Sequence, residues 1–457
     1  MLVEAWLQRA AATAPRRTAL QTPKGACTYA ELLERARAGS AELAERGVVA
    51  GDRVAIALPA ELDFAYALHA CLLAGAAAVP VDLRLGEAER RAVCDGTRVV
   101  IDEPLRADPS GPGGRLGPAR AGATRAAGGA GTGRGATHDL AAVAAVIHTS
   151  GTTSAPRPVE LTYGNFLWSA LGSAVAIGRD PGERWLCALP LAHVGGLSIL
   201  LRSAIYATTA VVHPGFDTEL VLRELGEQDV TLVSLVATTL ARLLDGGLAR
   251  PPRLRCALTG GGPVPPALLG RAAAAGVPVS LTYGLTEACS QVTTAPLAVA
   301  QPSAGPPLFC TQVRVQADGE ILIHGPTVAP GARAPDGWLH SGDLGRLNAQ
   351  GHLEVTGRKA DTIVSGGENV APAEVEAVLE AHPDVLEAAV LPRADKRWGE
   401  AVTALVVVRP GRDAATEQLR AHCAERLAPY KVPKQIALIA GPLPRTRSGK
   451  LLRRELR

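Results

Sequence analysis

The stretch Ala142-Val143-Ala144-Ala145-Val146-Ile147-His148-Thr149-Ser150-Gly151-Thr152-Thr153-Ser154-Ala155-Pro156-Arg157 divides into two halves of opposite character. The first half is an unbroken apolar run, the pattern of a buried strand. The second half sets several hydroxyls and a glycine in one loop with a cation at its end. Such a loop can wrap phosphate oxygens with backbone N–H and side-chain O–H donors. It lacks the G-K-[ST] ending of a Walker A loop.

Working outward toward the N-terminus, helices and strands alternate. Thr28-Tyr29-Ala30-Glu31 is a capping box that opens a helix running to about Gly47. Arg53 to Leu58 reads as a strand, 62–74 as a helix and Ala77 to Val81 as a strand, which together predict a parallel sheet covered by helices. Residues 105–137 interrupt the pattern: ten of these 33 are Gly, eight Ala and three Pro, the composition of a flexible loop. Toward the C-terminus, strands are expected at 207–213, 231–236, 254–259 and 277–282. From 311 to 356 short strands with turns predict a small antiparallel or barrel-like element. Residues 358–457 read as a compact α+β domain, with helices at 372–381 and 415–427 and strands at 385–391 and 402–408. The expected fold class is therefore α/β: a large region, 1–357, of helix-flanked mixed and parallel sheets with a barrel-like element, followed by a small mobile α+β domain, 358–457.

Composition narrows the function. The 457 residues carry 47 basic and 44 acidic side chains, a net charge of +3, which argues against nucleic acid as the partner. Eight cysteines without a C-x-x-C pair or zinc spacing predict reduced, mostly buried thiols and a cytoplasmic protein. The N-terminal segment lacks the apolar core of a signal peptide, and no apolar run suits membrane insertion. Only six of the 47 basic residues are lysines: Lys24, Lys359, Lys396, Lys431, Lys434 and Lys450.

Beyond the phosphate-type loop, seven further segments follow in order: Leu189-Pro190-Leu191-Ala192-His193, Thr259-Gly260-Gly261-Gly262-Pro263, Tyr283-Gly284-Leu285-Thr286-Glu287, Ser341-Gly342-Asp343, Gly357-Arg358-Lys359-Ala360-Asp361, Ser365-Gly366-Gly367-Glu368-Asn369 and Pro444-Arg445-Thr446-Arg447-Ser448-Gly449-Lys450. With them, nearly the whole chain resembles the adenylate-forming ligases, the superfamily of acyl-CoA synthetases, luciferases and peptide-synthetase adenylation domains. The resemblance implies ATP, Mg²⁺ and coenzyme A as cofactor and co-substrates, and a small carboxylic acid as the other partner. Thr149, Ser150, Gly151, Thr152, Thr153 and Arg157 would hold the β- and γ-phosphates. Gly260, Gly261, Gly262, Pro263, Tyr283 and Gly284 would frame the adenine. Thr286 would touch the α-phosphate, while Glu287, with Thr152, would bind the metal. Asp343 would accept from the ribose hydroxyls, and Arg358 would contact ribose or phosphate. His193 would line the acyl pocket, and Lys450 would bridge the substrate carboxylate and the α-phosphate. Gly366 and Gly367 would present the thiol, and Ala360 would be the hinge.

Several stretches resemble the o-succinylbenzoate–CoA ligases of menaquinone biosynthesis: Leu161-Thr162-Tyr163-Gly164-Asn165, Trp168-Ser169-Ala170, Trp185 to Leu191, Gly196-Leu197-Ser198 through Arg202 to Tyr206, and Arg397-Trp398-Gly399-Glu400. That substrate is an aromatic dicarboxylate. Arg202 matches the position that would hold the carboxylate not being activated; Leu197, Ser290 and Thr294 would line the same pocket. On helical pattern alone, Arg202 reads as a surface residue. The phosphate loop departs from the family: Ser154 replaces a usual Gly, Ala155 and Arg157 stand where Lys is usual, and Pro158 where Gly is common, which predicts a slower loop. A CoA ligase for another aryl or fatty acid, an acyl-AMP ligase loading a carrier protein, and a nucleotide-binding pseudoenzyme stay open at this point. So does the choice between a monomer and a homodimer.

Overall fold

The computed structural model describes residues 1–106, 136–149, 157–297, 303–445 and 451–456. The chain forms two compact units, Met1–Ala170 with Pro190–Gly215, and Leu171–Leu189 with Phe216–Arg457. The second unit runs across the expected boundary at 357/358.

In the first unit, the expected capping box is present. Glu31 N–H donates to Thr28 Oγ1, and Thr28 N–H donates to Glu31 Oε2 at 2.7 Å, opening the helix Tyr29–Glu45. A five-stranded sheet has the order Val99–Ile101, Arg53–Ile56, Ala77–Pro80, Val143–Thr149, Arg157–Thr162. Its first four strands are parallel, as the helix–strand alternation predicts. The last is antiparallel, with Thr149 opposite Arg157 and His148 opposite Pro158. The hydroxyl-rich segment therefore connects two antiparallel neighbours, and Pro158 lies on an edge strand, where proline is tolerated. A second group of strands pairs Thr18–Thr22 with the antiparallel Gly25–Thr28 and the parallel Thr209–Val212. Most of the Gly/Ala-rich stretch, 107–135, lies outside the described residues. The chain that follows it, Thr137–Asp139, pairs with Leu2–Glu4.

The second unit begins with parallel strands Arg184–Cys187, Leu232–Leu235, Cys256–Thr259 and Val279–Leu285, with Ser290–Thr294 added antiparallel at the edge. An antiparallel sheet of four strands follows, Gln312–Val315, Glu320–His324, Leu339–Leu347 and Leu353–Arg358. The short turn Lys359–Asp361 leads to the last sheet, in which Ile363–Ser365, Glu368–Val370, Val385–Asp395, Gly399–Val408 and Gln435–Leu438 carry the helices Pro372–Glu380 and Thr416–Ala424. Val375, Leu379, Val390, Val406 and Leu419 form its core. With so few aromatics, burial throughout rests on Ala, Val and Leu. The eight cysteines are free, and six are buried. No helix among the described residues is long and apolar enough to cross a membrane.

Candidate active site

The residues of the second unit expected to hold the nucleotide are assembled by strand register. Tyr283 and Gly284 sit at a bulge where Val279–Leu285 pairs with Ser290–Thr294. A Cβ on Gly284 would lie 1.6 Å from Ser290 O, so only glycine fits this approach. The bulge sets the Tyr283 hydroxyl to donate to Asp343 Oδ2 at 2.8 Å. Asp343 lies directly opposite Arg358 in its own sheet, and Arg358 Nε is 2.8 Å from Asp343 Oδ1. Three residues taken separately from the sequence thus form one constellation, a buried Tyr283–Asp343 pair with the exposed Arg358 against it. Burial raises the Tyr283 pKa, and the Asp343 carboxylate raises it further, so the phenol stays a donor. Asp343 keeps lone pairs beyond these two bonds, which suits it to accept from a ribose diol. Gly260 closes the strand Cys256–Thr259 beside Thr282, with Gly261, Gly262 and Pro263 exposed beyond it.

Thr286 and Glu287 occupy the short turn Thr286–Ala288, both partly exposed. The backbone carbonyl of Glu287 accepts from Ala329 N–H at 2.8 Å. Its carboxylate makes no hydrogen bond or ion pair among the described residues, and no group of three metal-ligating side chains exists among them. The Glu287 carboxylate is a donor of the kind Mg²⁺ takes, a hard cation that accepts one or two carboxylates and fills its shell with phosphate oxygens and water. Behind the turn, Cys289 (φ 52°) and Ser290 (φ 86°) are both left-handed without being glycine, a strained reversal with no sequence signal. Thr294, expected to line the acyl pocket, accepts from Gln291 Nε2 at 2.8 Å and lies 3.3 Å from Thr282 Oγ1.

Leu197 and Arg202, expected to line the acyl pocket, belong to the first unit, on the helix Val194–Tyr206. Arg202 is 2% exposed, against the surface position its helical pattern suggests. Its Nη2 donates to Ser169 Oγ at 2.9 Å. Ser169, within the Trp168-Ser169-Ala170 stretch, is a partner for Arg202 that no sequence pattern marks. Leu197 is fully buried. His193 caps the same helix and stays solvent-accessible. Desolvation by surrounding atoms lowers its pKa; the Asp82 carboxylate opposes this and Arg84 adds to it. In the same unit, Thr149 Oγ1 lies 3.4 Å from Arg157 O, and Arg157 is exposed. Ser150, Gly151, Thr152, Thr153 and Lys450 lie outside the described residues, as do Ser154 and Ala155.

Gly366 (φ 63°) and Gly367 (φ 87°) are the two-residue turn of a hairpin between Ile363–Ser365 and Glu368–Val370, where positive φ at both positions is required. Gly366 N–H donates to Trp398 O at 2.8 Å. Ala360 lies in the turn Lys359–Asp361, where Lys359 Nζ bonds Asp318 Oδ2 at 2.7 Å and Glu320 Oε2 at 3.0 Å.

The chain is similar to known proteins over nearly its whole length. Residues 7–331 match the AMP-binding enzyme family, and residues 374–450 match the AMP-binding enzyme C-terminal domain. The chain belongs to the AMP-binding enzymes and has the adenylate-forming fold. Within that class it is 40% identical to the 2-succinylbenzoate–CoA ligase of Geobacillus kaustophilus, covering 99% of this chain and 97% of that one. It is 36% identical to the Bacillus subtilis 2-succinylbenzoate–CoA ligase at the same coverage of each chain, 99% and 97%. The solved Bacillus subtilis o-succinylbenzoate CoA synthetase in complex with its acyl-adenylate intermediate matches with a TM-score of 0.86 and 35% identity, covering 100% of this chain and 98% of that one. The same enzyme with ATP and magnesium ion matches equally, at TM-score 0.86 and 35% identity over 100% of both chains.

Proposed function

We propose that the chain is an AMP-forming acid–thiol ligase that converts 2-succinylbenzoate to 2-succinylbenzoyl-CoA in menaquinone biosynthesis, in the cytoplasm. The observation that carries the substrate choice is Arg202, a guanidinium buried on a helix with no other charged side chain and hydrogen-bonded to Ser169. A guanidinium meets a carboxylate with two parallel charge-assisted bonds, and a dicarboxylate brings one carboxylate to spare.

In the first step, a substrate carboxylate oxygen attacks the α-phosphorus of ATP, and pyrophosphate leaves. Tyr283 packs on the adenine, Asp343 accepts from the ribose hydroxyls, and Arg358 supports both. Thr286 touches the α-phosphate, and Lys450 neutralises charge that develops between the carboxylate and that phosphate. Glu287 would hold Mg²⁺, which when bound offsets phosphate charge. In the second step, the CoA sulfur attacks the acyl carbon and AMP leaves. The segment from Arg358 onward turns at Ala360 between the steps and brings the Gly366–Gly367 hairpin to the thiol. No enzyme nucleophile is needed; positioning and charge stabilisation suffice.

ATP–pyrophosphate exchange across a panel of aryl, fatty and dicarboxylic acids, followed by thioester detection with CoA, tests this. Exchange is expected with 2-succinylbenzoate above the other acids, and Arg202→Met is expected to lose about 30-fold or more in kcat/KM, since truncating one partner of a buried charge pair costs about 2–5 kcal/mol. Equal turnover of a monocarboxylate, or an Arg202→Met enzyme of undiminished kcat/KM, rejects the substrate assignment.

A further inference from the structure

The chain on either side of residues 446–450 is anchored to acidic side chains of the last sheet and its helix. Arg445 and Leu451 face each other in an isolated antiparallel bridge, and Leu452 N–H donates to Pro444 O at 2.8 Å. On the near side, Arg445 directs Nε and Nη2 onto Glu387 Oε2, at 3.2 and 3.1 Å. On the far side, Arg453 forks onto Glu376: Nη2 donates to Oε2 at 2.9 Å and Nη1 donates to Oε1. Arg453 Nη1 also donates to Val390 O at 3.2 Å, and its Nε lies 3.7 Å from Asp361 Oδ2. The Arg453 side chain is only 18% exposed.

These partners sit on three different elements. Glu376 is on the helix Pro372–Glu380, Val390 is on the strand Val385–Asp395, and Asp361 ends the turn that contains Ala360. The helix and strand pack into one apolar core through Val375, Leu379 and Val390, so the acceptors are fixed to rigid elements. A planar guanidinium that meets a carboxylate with two parallel bonds sets direction as well as distance, which an ammonium cannot do. A reacting group is held to productive geometry by side chains of this kind, locked by packing and by their own hydrogen bonds.

We propose that Arg453 is a positioning residue for the adenylate-forming step: it holds the chain that follows Lys450 against Glu376 and, through Asp361, ties it to the hinge turn. The proposal rests on the reading that Lys450 acts at the α-phosphate. It adds a residue that touches no substrate and works through Lys450.

Two half-reactions separate this role from a merely structural one. Pyrophosphate exchange uses Lys450, whereas thioester formation from supplied acyl-adenylate and CoA uses the Gly366–Gly367 hairpin of the same sheet. Arg453→Gln is expected to lower the exchange kcat by about 10- to 100-fold, the scale of a misplacement of about 1 Å, with little change in the KM for ATP. Thioester formation from supplied adenylate is expected to stay at the wild-type rate, and Arg453→Lys is expected to recover only part of the exchange. In a Lys450→Ala background, Arg453→Gln is expected to add no further loss. Equal damage to both half-reactions, no damage to exchange, or a loss that adds fully to that of Lys450→Ala each overturns the positioning role. A Lys450→Ala enzyme that exchanges at the wild-type rate overturns the underlying assignment of Lys450, and the positioning role falls with it.

Discussion

Lowering the pH from 7.5 to 5.0 is expected to destabilise the protein through two buried histidines outside the site. His69 lies on the helix Leu62–Leu73 and His138 on the strand Thr137–Asp139, both 4% exposed. His138 stacks on Tyr163 at 4.3 Å and meets Trp6 edge-on at 4.9 Å. Burial holds the pKa of His69 at about 4, helped by the proximity of His138, and burial holds that of His138 at about 4 as well. An unfolded histidine titrates near 6.5, so below that pH the unfolded chain binds protons that the folded chain refuses. The stability is fully present above about pH 6.5 and falls as the pH drops toward 4. At pH 5.0 the linkage amounts to about 2 kcal/mol for each histidine, or about 4 kcal/mol together, against a total of about 5–15 kcal/mol for a typical domain. Other groups titrate too: burial raises the Glu380 pKa to about 7, and its protonation on acidification acts in the opposite direction. The difference between the wild type and His138→Phe isolates the histidine. Phenylalanine keeps the ring contacts with Tyr163 and Trp6. Urea unfolding at both pH values is expected to show the acid-induced loss shrinking by about 2 kcal/mol in the variant. An identical loss in the two proteins would refute the reasoning, because it would mean that His138 protonates as readily in the folded chain as in the unfolded one.

Two further outcomes concern the site. Asp343→Asn keeps the shape but removes the charge and turns one of the two acceptor oxygens into a donor, so the KM for ATP in pyrophosphate exchange is expected to rise about 10-fold or more, the worth of a hydrogen bond to a charged group; an unchanged KM removes Asp343 from the ribose contact. Gly366→Ala must adopt φ 63° and place its Cβ 2.9 Å from Trp398 Cε3, so thioester formation from supplied adenylate is expected to slow about 10-fold while exchange persists, at a backbone cost of about 1–2 kcal/mol; equal slowing of both half-reactions argues against a role confined to the thiol step.

What could be read from the chain, and what could not, follows from the range of the forces involved. The Thr28–Glu31 capping box spans four residues and closes through its own side chains, so its sequence sufficed. Apolar runs gave the parallel strands because burial on both faces needs no partner to be named. The antiparallel return at Arg157–Thr162 was hidden, since a polar loop leads equally well into a helix or an edge strand. Arg202 illustrates the limit most clearly. Its place in the helical pattern predicts a solvated cation, yet tertiary packing buries it beside Ser169, and no local propensity encodes that choice. The Tyr283–Asp343–Arg358 constellation was legible only as separate motifs. The bond from Tyr283 to Asp343 depends on a bulge that only glycine at 284 permits, and that from Arg358 on the cross-strand register of Asp343. Neither condition is a property of a short segment. The anchors around Lys450 make the same point from the other direction. In a chain with 41 arginines, composition marks the rare lysine. Only the fold distinguishes Arg453, with its fork onto Glu376, in an arginine-rich stretch of sequence.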